Sequence, residues 1–185
     1  MDMDMDMGMS QVGVVHVPVY PTIGIDEYNH ILEHSDARFV IVSSQEYYEK
    51  IKPLADKVSN IEKVFTIDEV KGAPNWNEII EAGKKNEGRF KEEVIKIKQS
   101  IQPDELMSII YTSGNTGRSK VLMLFHRIFL SNVEACDNIL PINETNRFLS
   151  FLPLCHVFER MVTYFWQYNG SSVYYAVNFE TIGEN

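Results

Sequence analysis

The stretch that most constrains this chain is Ile109-Ile110-Tyr111-Thr112-Ser113-Gly114-Asn115-Thr116-Gly117-Arg118-Ser119-Lys120. Apolar residues come first, then small hydroxyl, amide and glycine residues, then a lysine. A strand that hands a loop to a phosphate needs this order. Glycines let backbone N–H groups approach an anion closely, hydroxyls and amides add hydrogen bonds, and an ammonium adds charge. The spacing Gly114, Gly117, Lys120 is not the Walker G-x-x-x-x-G-K-[ST], and no Rossmann G-x-G-x-x-G is present. Kinase, GTPase and NAD-binding readings therefore lose support. The same residue types also make plain turns, so composition alone leaves a phosphate cradle and a structural turn both open.

At 185 residues the chain is long enough for one domain with a real core, and its 44% hydrophobic and 23% charged shares are those of a soluble globular protein. A net charge of −9 argues against nucleic-acid binding, which needs clustered Lys and Arg. A nucleotide needs only local positive potential. Cys136 and Cys155 form no C-x-x-C pair and read as reduced thiols. No apolar run reaches the ~20 residues of a membrane span, and no secretory signal opens the chain. The expected location is the cytoplasm.

Met1 to Met9 alternates Met and Asp, which reads as a disordered low-complexity leader over residues 1–9. Val12 to Tyr20 reads as a buried strand, with His16 satisfied inside it. A helix is expected from Asp26, with Tyr28, Ile31 and Leu32 inward. A strand follows at Phe39–Val42, and a helix opens on a Ser43/Glu46 capping box, kinked or divided by Pro53. Val64 to Ile67 is a strand. Asn75 and Glu78 form a second box, opening a helix that ends near Gly83 with Trp76 and Ile79 packed inward. The charged run Lys84 to Gln99 reads as a surface helix or connector. Strands then alternate with helices: strand Leu106–Tyr111, strand Val121–Phe125, helix Ile128–Asn138, strand Phe148–Leu152, helix Glu159–Tyr168 and strand Ser172–Ala176. This alternation predicts a layered α/β fold, a largely parallel sheet with flanking helices.

Tyr111 to Lys120 resembles the signature of adenylate-forming enzymes, Y-T-S-G-[ST]-T-G-x-P-K-G. Met123-Leu124-Phe125-His126-Arg127 is similar to that family's M-L-S-H-R/K. Phe151-Leu152-Pro153-Leu154-Cys155-His156-Val157-Phe158-Glu159-Arg160 resembles the next family motif, most closely in long-chain fatty acid–CoA ligases. Val15 to Thr22 looks like the A-x-x-V-P-[IL]-Y-x-T segment of the same ligases. The resemblance runs from about Gln11 to the C-terminus. It implies that residues 10–185 are part of the large N-terminal AMP-binding domain.

It further implies that ATP and a fatty acid give an acyl-adenylate and pyrophosphate, and that CoA then displaces AMP. Thr112, Ser113, Gly114, Asn115, Thr116, Gly117 and Lys120 fall on the triphosphate loop, with Mg²⁺ beside the phosphates and Thr116 as its hydroxyl ligand. His156 falls beside the reacting acyl group, where it would position; its alternative is a cap after Pro153. Glu159 and Arg160 would pair with each other or with the loop, a structural ion pair being the safer reading. Asn115, Ser119, Val121 and Phe125 depart from the pattern. Val121 replaces a glycine, which would strain a β-branched residue if that position needs positive φ. The family's adenine and ribose segments, hinge and C-terminal lysine are not among these residues, so the chain is expected to be a fragment inactive alone. The parent enzyme would act on small molecules, with peripheral membrane association and homo-oligomer formation left open. An adenylating domain for another carboxylate, and a non-catalytic nucleotide-binding remnant, are the alternatives.

Overall fold

The computed structural model describes residues 3–112 and 120–176. They form two compact units, one including residues 21–99 and Lys120, the other residues 100–112 and 121–176 together with the N-terminal residues up to Tyr20. Among the described residues no helix is long and apolar enough to cross a membrane.

In the unit of residues 21–99, helix α2 spans Ile25–His34 and buries Tyr28, Ile31 and Leu32, the stripe its spacing predicts. Strand β1 (Phe39–Val42) pairs in parallel with β2 (Lys63–Thr66), Phe39 opposite Lys63 and Val42 opposite Thr66. Between them α3 (Gln45–Ala55) runs unbroken through Pro53 and ends two residues later, so the proline does not divide it. Its N-cap is Ser44, with no side-chain cap bond, rather than Ser43.

The second box forms as its spacing predicts. Asn75 Oδ1 accepts from the Asn77 N–H at 3.0 Å, and Glu78 Oε1 accepts from the Asn75 N–H at 3.3 Å. The helix it opens, α4, does not stop at Gly83 but continues over Asn77–Ser100. The run beyond Gly83 is rich in Lys and Glu, good helix formers that outweigh both Gly83 and Gly88. α4 buries no residue, and Ile79, expected inside, is 45% exposed.

In the other unit residues Met3–Ser10, most of the Met/Asp leader, form helix α1. Met3 and Asp6, three apart and therefore on one helical face, are buried. Asp6 meets Arg160 and Tyr164, more than 150 positions away, which local composition cannot register. The following segment is not a strand. It makes one parallel bridge, His16 opposite Ser108, and leaves Val14 and Val15 exposed. Pro18 and Pro21 deny it backbone donors.

Strand β3 (Leu106–Thr112) lies beside β4 (Lys120–Phe125), and helix α5 (His126–Asp137) follows directly. Carbonyls of Glu105 and Pro103 accept from the N–H groups of His126 and Arg127 at 3.2 and 2.8 Å, covering donors that α5 itself cannot use. Met107, Ile110, Leu124 and Phe129 form the core here. Strand β5 (Arg147–Ser150) pairs in parallel with β6 (Ser172–Tyr175), across helix α6 (Val157–Tyr168). α6 packs Phe165 and Trp166 against Val133, and Phe148 stacks on Trp166 at 4.8 Å. It ends in a Schellman motif: Gly170 N–H reaches Gln167 O and Ser171 N–H reaches Trp166 O, both at 3.0 Å, with Gly170 at φ 69°.

Candidate functional site

Thr112 is the last residue of β3 and Lys120 the first of β4, both exposed. The loop is thus carried by two neighbouring strands. Ser113, Gly114, Asn115, Thr116 and Gly117 lie outside the described residues. Val121 lies within β4 and is not at positive φ, so the strain that a β-branched residue would suffer there does not arise. A β-branched residue suits this position.

His156 is exposed and sits at the N-cap of α6. Its N–H donates to Pro153 O at 2.8 Å, and its Nδ1 accepts from the Phe158 N–H at 3.3 Å. Accepting at Nδ1 puts the ring proton of the neutral tautomer on Nε2. The capping role is therefore real, and it leaves the Nε2 edge for another partner.

Behind this turn α6 buries charge. Glu159 Oε1 accepts from the Ser150 hydroxyl at 2.5 Å, which ties the first turn of α6 to the end of β5. Arg160 is fully buried and does not pair with Glu159. It forms a fork on Asp6 instead: Nε to Oδ2 at 2.8 Å and Nη2 to Oδ1 at 2.9 Å. The Tyr164 hydroxyl donates to Asp6 Oδ2 at 3.1 Å, and the guanidinium lies 4.7 Å from the Phe129 ring centroid. Arg160 Nη2 also meets His16 Nε2, while His16 Nδ1 stands 2.5 Å from Asp6 Oδ1. A ring nitrogen facing an arginine N–H must offer its lone pair, so the neutral His16 carries its proton on Nδ1, towards Asp6.

Burial, and then the Arg160 charge, drive the His16 pKa down to about 3. Burial pushes the Asp6 carboxyl up, while Arg160 and Tyr164 pull it back. Tyr164, half-buried and beside the Asp6 charge, is pushed up to about 12, with desolvation the largest cause. One carboxylate, one guanidinium and a neutral imidazole leave the cluster without net charge, the condition under which buried charges persist. Sequence reading placed Arg160 in a motif but missed Asp6. The usable signal was weak: a carboxylate three residues after an apolar Met3, at helical rather than strand spacing.

Residues 5–183 match the family of AMP-binding enzymes. The chain belongs to that family. Among AMP-binding relatives, it is 27% identical over 173 residues to the chloroplastic long-chain-fatty-acid–[acyl-carrier-protein] ligase AEE15 of Arabidopsis thaliana, covering 86% of this chain and 24% of that one. It is 28% identical over 170 residues to long-chain-fatty-acid–CoA ligase 1 of Cavia porcellus, covering 80% and 23%. It spans about a quarter of the length of these relatives. ATP-bound MatB from Rhodopseudomonas palustris superposes with a TM-score of 0.70 at 18% identity, over 96% of this chain and 33% of that one. At that identity the likeness shows the fold: the α/β fold of the N-terminal domain of adenylate-forming enzymes.

Proposed function

We propose that this chain supplies the phosphate-binding part of the adenylating domain of a long-chain fatty acid–CoA ligase, residues 10–185 being part of one AMP-binding domain. The observation that carries this reading is the strand–loop–strand unit. β3 ends on the hydroxyl of Thr112, β4 begins on the ammonium of Lys120, and the hydroxyl-, amide- and glycine-bearing run lies between.

The donor set suits a triphosphate. Thr112, Ser113, Asn115 and Thr116 offer hydrogen bonds, Gly114 and Gly117 allow backbone N–H approach, and Lys120 offers charge. The fatty acid carboxylate attacks the α-phosphorus of ATP, and the P–O bond to the departing pyrophosphate breaks. The chain's task is to hold the phosphates in line and to neutralise the leaving charge. Thr116 is the residue of this chain that would hold Mg²⁺, which would supply further neutralisation of the leaving charge. His156, anchored through Nδ1, presents its Nε2 edge to position the acyl group. The CoA thiol then displaces AMP. The resemblance of Pro153–Arg160 to fatty acid–CoA ligases supports a fatty acid and CoA over an aryl or amino acid.

The test is carboxylate-dependent ATP–pyrophosphate exchange, with the family segments beyond these residues supplied as a longer chain. Exchange should be greatest with palmitate and should collapse in Lys120→Ala. Preference for an amino or aryl acid would move the assignment to another adenylating class. Absence of exchange, with no ATP bound, would favour a non-catalytic remnant, to which the departures at Asn115 and Ser119 lend support.

A further inference from the structure

Glu159 is the third residue of α6, counted from its N-cap His156. At that position a glutamate ordinarily turns back to the N–H of the cap residue and closes a capping box. Here it does not. The His156 N–H is taken by Pro153 O at 2.8 Å, and Glu159 Oε1 accepts from the Ser150 hydroxyl at 2.5 Å instead. Ser150 and Glu159 are both only 3% exposed. Burying a carboxylate is costly, and the cap donor it would have served is already satisfied. The side chain therefore joins α6 to the sheet rather than capping its own helix.

Ser150 is a fixed reference point. It is the last residue of β5, opposite Tyr175 of β6, and its carbonyl accepts from the Ala176 N–H at 2.9 Å. Ser150 and Glu159 are nine positions apart, and the turn that their bond closes carries His156. The same turn has a second anchor: Cys155 is buried, and its thiol shares a hydrogen bond with the Tyr20 hydroxyl. The turn stands at the carboxyl end of a parallel strand, the end at which open α/β sheets bind their ligands.

We infer that Ser150 and Glu159 are positioning residues for His156. Their hydrogen bond closes the turn after β5 and holds the His156 Nε2 edge in one orientation at the carboxyl end of that strand. The catalytic consequence rests on the acyl-positioning reading of His156; the closure of the turn does not.

The closure is read on this chain alone, by amide hydrogen exchange followed by NMR. The Phe158 N–H, accepted by His156 Nδ1, reports the His156 turn. The Ser171 N–H, bonded to Trp166 O at the other end of α6, reports the helix as a whole. Ser150→Ala/Glu159→Leu removes both partners without leaving a buried carboxylate unpaired, so the fold is kept, which circular dichroism checks. The double variant should speed exchange at Phe158 roughly 5-fold and leave Ser171 unchanged. Glu159→Gln keeps an acceptor oxygen and should exchange as the parent does. Unchanged protection at Phe158 in the double variant, an equal loss at both amides, or Glu159→Gln behaving as the double variant would overturn the proposal. In the longer chain, the double variant should lower kcat for palmitate-dependent ATP–pyrophosphate exchange roughly 10–10²-fold with KM for ATP unchanged, and Glu159→Gln should restore it. Absence of exchange by the parent would count against the ligase reading and leave the Phe158 result to decide the closure. A double variant as active as a working parent would contradict the positioning role.

Discussion

Helices α4 and α6 invert the usual expectation. α4 is the longest helix described and carries Ile79, Ile80, Phe90, Val94 and Ile95 exposed, with nothing buried. α6 is half its length and buries a glutamate, an arginine and a threonine. Apolar spacing makes a helix amphipathic but does not supply a surface to cover it. Buried charge persists where specific partners meet it: Ser150 for Glu159, and Asp6 with His16 for Arg160. Of the two, α6 is the helix whose internal contacts fix its position, and its N-cap carries His156.

The largest effect that could break this contrast is at Arg160. Arg160→Met leaves Asp6 buried without its cation, and urea unfolding should register a loss of about 3–5 kcal/mol. Adding Asp6→Leu should restore most of it, because an apolar pair of similar size replaces both charges. A mild single variant would show that α6 does not depend on its buried charge.

A second effect is pH dependence. His16 stays neutral in the folded protein down to about pH 3, whereas its ordinary value is 6.5. The unfolded chain therefore takes up a proton that the folded chain refuses. Stability from this group is full above pH 6.5 and falls as pH drops towards 3, with a slope approaching about 1.4 kcal/mol per unit. Asp6, shifted upwards from 3.8, acts with the opposite sign: its contribution is present below 3.8 and is lost as pH rises through its folded value. The difference between the parent and His16→Asn isolates the histidine. Equal slopes in the two would mean that His16 is not held neutral.

At the loop, Val121→Gly should cost roughly 0.5–1 kcal/mol, since a strand residue is replaced by glycine with no strain to relieve. It should bring no gain in ATP affinity by calorimetry. The smallest effect belongs to α4: Val94→Gln should change stability by no more than about 0.5 kcal/mol, because Val94 is 41% exposed. A large loss there would show that α4 has a packed face after all.

How much of this was legible depended on sequence distance. α2 and the Asn75/Glu78 box rest on neighbours within a few residues, and spacing found them; β1 and β2 pair across 24 positions but were marked by their short apolar runs. The continuity of α4 was missed because Gly83 was weighed as a terminator against propensity that lay beyond it. α1 was missed because Asp6 and Arg160 are 154 positions apart, and an aspartate's partner that distant leaves no local trace. Proline content misled in both directions: it failed to break α3 at Pro53, where the helix was about to end, and it did prevent a strand near Pro18. For the site, strand–loop–strand order was readable and the motifs named the family. The dual place of His156, a cap whose other edge is left over, required the hydrogen bond to the Phe158 N–H.

The most direct measurement of the central claim, that this loop holds a nucleotide triphosphate, is calorimetric titration of Mg·ATP into the parent chain and into Lys120→Ala. Saturable one-to-one binding by the parent, lost or strongly weakened in Lys120→Ala, is the predicted result. No binding by the parent, or equal binding by both, would contradict it.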